Sequence, residues 1–528
     1  MTKDDSGTHH AKSTKTNAVG EELAAVLPDD GPWYKQKHLI KLNFCILSLI
    51  MFSSSNGFDG SLMNSLMALP QWHSFMDSPT GAWLGFINAI YSLGSVIVYP
   101  TAAWICNKYG RKPGIWIGYA FLALGTALQT AANGDVAFVL ARLFLGSASG
   151  FFLSVPLLIA ENAYPPQRGV ASSLYNCGWY VGSVVAAWAT FATRNMNHWS
   201  WRIPSLLQIA IPLAALPGFL MIDESPRWLI SVDRVEDARR ILAKIHTGGD
   251  INAPLIAFEI TEIEATLRAE KEASDSTSWS DLYSTPGNRH RLFISVSLGI
   301  FAQWSGNGVV SYYLAMVLET VGITSVTNQT LISACLQIWN LIWACTAAAL
   351  VDKVGRRALF LASGTVMLIS YIIITGLSAG FAATQNPSTG IAVIPFLFIY
   401  FFGYDIALTP LLVSYTVEIW PYSLRAKGLS VTFQTTLAAV FFNIFVNPIA
   451  LDAIQWKYYF VFIIVLVAML VTVWFYYPET RGRTLENMAW LFDGDNAAAT
   501  ITMAEDAIKI SNINHLEKAE SAGAPKTT

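Results

Sequence analysis

Twelve stretches of roughly 20 mostly apolar residues punctuate the sequence, each long enough as a helix to cross the ~30 Å hydrocarbon core of a bilayer. They begin near Leu39, Trp83, Pro113, Val136, Val170, Ile203, Leu292, Leu331, Ala358, Ile391, Leu429 and Tyr458. Inside a bilayer every backbone N–H and C=O must be satisfied within the protein, which restricts such runs to helices. Composition agrees: 53% of the 528 residues are hydrophobic and 13% are charged, where an ordinary soluble domain carries about 25%. The expectation is an all-α membrane protein with twelve transmembrane helices.

Three polar motifs at the ends of these runs each occur twice, roughly 250 residues apart, which marks an internal duplication. NKYGRK (107–112) answers DKVGRR (352–357), so Arg111 corresponds to Arg356. Glu161, followed by Arg168 and Gly169, answers Glu418, followed by Arg425 and Gly428. ESPR (224–227) answers PETR (478–481). The chain therefore divides into a polar N-terminus expected to be disordered (1–36), a six-helix bundle (37–222), a helical linker (223–290), a second six-helix bundle (291–478) and a tail (479–528) whose polarity from about Asn487 onward predicts disorder. The two bundles are expected to be pseudo-symmetric.

Lys and Arg concentrate in the loops that carry the motifs: Lys108, Arg111, Lys112, Arg168, Lys353, Arg356, Arg357, Arg425 and Lys427, against Arg194, Arg202 and Lys457 on the other side. The positive-inside rule makes the motif side, the linker and both termini cytoplasmic. The polar head is too long for a cleavable signal peptide. Five cysteines lie in or beside the apolar runs with no CxxC spacing, so packing rather than metal binding or disulfide formation is expected. No nucleotide-binding loop, metal cluster or nucleophile triad stands outside the apolar runs, which argues against an enzyme, a cofactor or a nucleic-acid partner.

In this order, GRK after the second run, ESPRWL after the sixth, DKVGRR and PETRGRTLE resemble the sugar porter family of the major facilitator superfamily, from about Leu39 to Glu486. NGFDGSLMNSLMALP, SLYNCGWYVGS and LTPLLVSYTVEIWPYSLRAKG look like the family's fungal lactose permease branch. The resemblance implies the major facilitator fold, a small-molecule sugar as ligand, a proton as a second ligand, a monomer in the plasma membrane, and a disaccharide such as lactose or cellobiose as cargo.

An ionisable residue inside a span is costly and usually functional. Asp59 lies about 10 Å below the outer end of the first span, and Arg142 about as far below the outer start of the fourth, so the two are able to pair. Parting such a pair loads or releases a proton. The family implication is the same, since its proton-coupled members have an acid in the first span and an arginine in the fourth. The bland alternative is that Asp59, between Gly57 and Gly60, caps a helix break. Asp405, near the middle of the tenth span, is a second candidate proton site.

A sugar site needs planar amides and aromatic faces in an apolar cavity. Gln303, Trp304, Asn307 and Tyr312 are similar to the family's QQLSGxNxxxYY run, with Ala302 for the first Gln and Gly308 where the Asn is expected. Asn340 matches a sugar-binding Asn, and Asn176 stands where Gln is usual. Val413 replaces a stacking Trp. Among Trp179, Tyr180, Trp304, Trp339 and Trp343, Trp304 and Trp179 are the aromatic residues expected at the substrate. The bland reading of each amide is an interhelical hydrogen bond worth about 0.6 kcal/mol.

The duplicated charges, Arg111, Glu161 and Arg168 in one half and Asp352, Arg356, Arg357, Glu418 and Arg425 in the other, are expected to form ion pairs that hold a cytoplasmic gate shut. The leading functional expectation is a proton-driven sugar symporter. Its rivals are a passive sugar, polyol or quinate carrier and a sugar receptor without flux.

Overall fold

A computed structural model describes residues 21–28, 31–481 and 485–493, and every regular element among them is helical. Twelve helical passages form two six-helix bundles. The first bundle holds α1 (Lys37–Leu66), α2 (Gly81–Tyr109), α3 (Arg111–Thr130), α4 (Asp135–Asn162), α5 (Arg168–Thr193) and α6 (Trp199–Met221). The second holds α7 in two pieces (Pro286–Trp304 and Asn307–Thr320), α8 (Val326–Val354), α9 (Arg356–Thr384), α10 (Val393–Asp405 and Leu408–Ile419), α11 (Tyr422–Ile454) and α12 (Tyr459–Tyr476). Eight helical stretches meet a strict test of length and apolarity, the last of them containing both α11 and α12. The remaining passages, α3, α5 and α7, carry more polar side chains.

With no hydrophobic drive between helices in lipid, close packing of small residues and interhelical hydrogen bonds hold the bundles. A methyl group on Gly57 of α1 would meet the Trp179 carbonyl of α5, and one on Gly182 would meet the Ser54 carbonyl of α1. Ser54 Oγ donates to Gly178 O at 2.8 Å and Ser183 Oγ to Gly57 O at 3.0 Å, stitching the same seam. Consequently α1 is one unbroken helix through Asp59. The glycines beside Asp59 serve packing against α5 rather than a helix break.

Four passages are interrupted near their middles, α4 at Phe152–Leu153 and α6 at Gln208–Ile209 with the backbone still right-handed helical, α7 and α10 more sharply. Between the pieces of α7, Gly306 has φ +104°, and a side chain there would run into the Tyr371 ring, so the position requires glycine twice over. Tyr371 Oη donates to Gly306 O at 2.9 Å and fixes the break. In α10, Ala407 is non-helical (φ −132°, ψ −57°) two residues after Asp405.

The segment between the bundles folds into Pro226–Ser231, Val235–His246 and Pro254–Ser276. α7 begins at Pro286, so a boundary at 291 falls inside that helix. The start of the tail is ordered where a disordered one was expected from its polarity: Leu485–Asp493 is helical, and Asp493 accepts two hydrogen bonds from the buried Arg291 guanidinium at 2.8 and 3.1 Å.

Candidate functional site

At the motif-bearing end the duplication acquires a physical meaning. Gly110 and Gly355, with φ +104° and +101°, turn the chain from α2 into α3 and from α8 into α9. The freed helix N-termini are then capped by a carboxylate from the end of the same bundle. Glu224 accepts from the Arg111 and Lys112 backbone N–H groups at 3.0 Å each, and Glu479 accepts from Arg356 N and Arg357 N at 2.8 and 3.0 Å. This is an anion on two orphan donors at the positive end of a helix dipole. Burial works against charge on Glu479, yet the backbone N–H groups of Arg481, Arg356, Arg357 and Thr480 hold its carboxyl below its ordinary value.

Next to each cap lies an ion pair. Arg111 makes a two-pronged contact with Glu161, Nε to Oε2 at 3.0 Å and Nη2 to Oε1 at 2.8 Å. Arg356 Nη2 meets Glu418 Oε1 at 2.9 Å. Each pair closes within its own bundle, α3 to α4 and α9 to α10. Among the described residues Arg168 and Arg425 are not drawn into either pair: the Nε of each is buried without a hydrogen-bond partner there, and the Arg425 guanidinium lies 5.8 Å from the Tyr422 ring. Arg357 donates to the Trp474 carbonyl. The side chain of Asp352 lies outside the described residues.

In the middle of the first bundle, Arg142 Nη1 donates to Asp59 Oδ1 at 2.7 Å, with both side chains almost fully buried. Tyr91 of α2 adjoins the pair, with the Arg142 guanidinium 4.8 Å from its ring. A cavity of about 10 Å³ touches Asp59, Tyr91, Ser149 and Gln208, room for about one water molecule among polar partners.

Gln303, Asn307 and Asn443 gather around the α7 break, and Asn340 lies buried on α8. Asn340 is 3% exposed, and its Oδ1 has no hydrogen-bond partner among the described residues, which leaves a buried acceptor to be satisfied. Gln303 and Tyr312 are half-buried, and Asn307 Oδ1 accepts from Ser311 at 2.6 Å. Asn443 of α11 is a partner the sequence did not single out: its Nδ2 donates to Gln303 O at 2.7 Å, and its amide fills the space a side chain at Gly308 would need. An amide from α11 thus stands against the position where an asparagine was expected on α7. A lone Asn in an apolar run gives no sign of this, because its neighbour is 140 residues away.

Of the aromatics, Trp304 spends its indole on α11, donating to Ala439 O at 3.2 Å with its ring 5.1 Å from Phe442. Trp339 Nε1 donates to Phe398 O at 2.8 Å and Trp343 packs on Phe402, so both hold α8 to α10. Trp179 lies over Gly60 and remains partly exposed, and Asn176 is exposed one turn before Tyr180 on the same helix. Asp405 is fully buried at the α10 break, where Tyr180 Oη donates to its Oδ1 at 2.6 Å. Larger clefts lie elsewhere, about 530 Å³ beside Glu224, Arg234 and Lys244 and about 450 Å³ beside Gln71 and His198. The first has no amide in its lining, and the second has two, Gln71 and Asn197, both on the first bundle.

Two pseudo-symmetric six-helix bundles, capped alike at one end and carrying a buried ion pair in one bundle and a buried amide, Asn340, with an unpartnered oxygen among the described residues in the other, define a membrane carrier architecture. The family model "Sugar (and other) transporter" matches residues 45–492, and the chain belongs to that family. It is 28% identical to the MFS glucose transporter mfs1 of Aspergillus flavus, over 83% of this chain and 87% of that one. It is 27% identical to a high-affinity glucose transporter of Kluyveromyces lactis, over 87% of this chain and 86% of that one. In fold it is similar to the inward-open xylose transporter XylE from E. coli, with a TM-score of 0.71 at 22% identity, covering 85% of this chain and 100% of that chain. The resemblance to sugar porters is thereby established at family level, and the relatives named here are glucose carriers rather than lactose permeases. The chain is a membrane-spanning member of this family of sugar transporters.

Proposed function

We propose that this protein is a proton-driven sugar symporter of the plasma membrane, with its motif-bearing end and both termini in the cytoplasm, working by alternating access of its two bundles. The observation that carries the proposal is the Asp59–Arg142 pair, 2.7 Å apart and buried. Protonating Asp59 removes the charge that holds Arg142, and two buried charges in low dielectric give that step a large effect on packing. Tyr91 and the water-sized cavity beside Asp59 supply a polar route for the proton. Gln303, Asn340, Asn307, Asn176 and Tyr312 form the sugar site, with Trp179 at its edge. Trp304 supports that site from α7 by bonding to α11 rather than stacking on the ligand, in keeping with its indole bond to Ala439.

For cargo we propose a disaccharide such as lactose or cellobiose. Asn176 is a short amide on an exposed stretch of α5, and Val413 leaves open the place of a bulky ring. The glucose-transporting relatives favour a hexose as the second reading. Uptake of labelled sugar in cells lacking their own carriers, competed by lactose, cellobiose, maltose, glucose, galactose, xylose and quinate, separates the two. Competition by hexoses alone removes the disaccharide, and competition by quinate alone removes sugar.

The coupling is tested in the Asp59→Asn variant. Loss of pH-driven accumulation with sugar exchange retained is expected. Accumulation that stays dependent on the pH gradient would end the assignment of Asp59.

A further inference from the structure

Asp405 closes the first piece of α10, and its carboxylate faces the other bundle. Its Oδ1 accepts from Tyr180 Oη of α5 at 2.6 Å and from Thr409 Oγ1, one turn further along α10, at 3.1 Å. Tyr180 and Thr409 also lie within 3.2 Å of each other, so the three groups form a closed cluster. Asp405 Oδ2 is buried without a hydrogen-bond partner among the described residues. The adjoining Tyr404 and Tyr400 donate to Ala302 O and Ser305 O at 3.0 and 3.3 Å, tying the α10 break to the α7 break that carries the sugar-site amides.

We infer that Tyr180 is a positioning residue that latches the two bundles together at mid-depth, and that a substrate hydroxyl takes over its bond to Asp405. The bond joins helices of different bundles, so any rocking that separates α5 from α10 must break it. Breaking it in the empty carrier leaves a carboxylate oxygen buried and unpaired, which is costly. A polyhydroxy ligand brings the missing donor, and the unpartnered Oδ2 offers it a first foothold. The empty protein is therefore held in its present arrangement, and the loaded protein is free to move. This rests on the transport reading above and adds to it a residue, Tyr180, that senses whether the site is filled.

The test follows the bundles rather than the flux. A cysteine introduced by Ser65→Cys, at a position 2% exposed near the end of α1 opposite the motifs, reports opening of that end through its rate of maleimide labelling. The full-length protein is used in lipid nanodiscs, against the same protein without the substitution as background. With Tyr180→Phe, labelling without sugar is expected to rise about tenfold, the effect of one hydrogen bond to a charged group on a two-state balance, and sugar is expected to change it no further. Asp405→Asn is expected to do the same, and the double variant no more than either single one. Unchanged labelling in Tyr180→Phe, or effects of the two substitutions that multiply, would overturn the latch. If the latch behaves as described but the parent protein moves no sugar, the transport reading falls and the latch stands.

Discussion

At the scale of single residues, the buried Asp59–Arg142 pair makes an energetic claim apart from its role in transport. Truncating one member of a buried ion pair strands the other charge, at a cost of about 3–5 kcal/mol, whereas removing both charges is close to neutral. Arg142→Ala is therefore expected to lower the thermal stability of detergent-purified protein strongly, and adding Asp59→Asn to it should restore most of the loss. Equal melting temperatures for Arg142→Ala and the parent would mean that the pair carries no such strain. This pair was legible in the sequence because an acid and a base inside apolar runs are conspicuous and their depths follow from a 1.5 Å rise. Tyr180 and Asn443 were not legible as a latch and an amide supplement. A tyrosine or asparagine in a span looks the same whether it bonds a neighbour or a ligand, and the partner of Tyr180 lies 225 residues away. Trp304 shows the same limit: its motif position suggests the ligand, and the bond of its N–H to α11 is invisible in the sequence.

At the scale of elements, the repeated motifs resolve into a helix-capping device, which sequence spacing revealed as repetition and the structure explains as chemistry. Glycine at φ near +100° lets a carboxylate from the end of the bundle approach two backbone N–H groups of the next helix. Because the folded protein holds the Glu479 carboxyl below its ordinary value of 4.5, its contribution is complete above that pH and is lost as pH falls through the depressed value. Glu479→Gln should thus destabilise by about 0.5–2 kcal/mol at neutral pH, the usual worth of a cap, and the gap to the parent should narrow as pH drops below 4.5. A gap that widens in acid would refute the sign. The α1–α5 seam is a second element-scale case. Gly57→Ala drives a methyl into the Trp179 carbonyl, which cannot move without separating two helices, at a cost of about 1–3 kcal/mol or more. Gly169→Ala on α5 meets open space and should be near neutral. Comparable melting temperatures for the two variants would show that the seam tolerates separation.

At the scale of the whole molecule, the two bundles differ in what they share. The ion pairs and caps at the motif end close within each bundle, whereas hydrogen bonds between bundles occur at mid-depth and toward the opposite end. Asn64 Oδ1 of α1 accepts from Leu314 N of α7 at 2.9 Å, and Arg194 at the end of α5 donates to Thr327 of α8 at 3.2 Å. The Asn64 bond falls beside Tyr313, whose non-helical backbone marks a kink in the second piece of α7. A hinge bound to the other bundle by one side chain is suited to a gate that opens only when the bundles part. Alternating access requires these contacts to break in the other state. Cysteines introduced together by Arg194→Cys and Thr327→Cys should therefore be bridged rapidly by a short bifunctional maleimide, and bridging should stop net sugar uptake while leaving the protein folded. Uptake at the parental rate in fully bridged protein would show that this end stays closed throughout the cycle, and the rocking of two bundles would have to be replaced by movement confined to one.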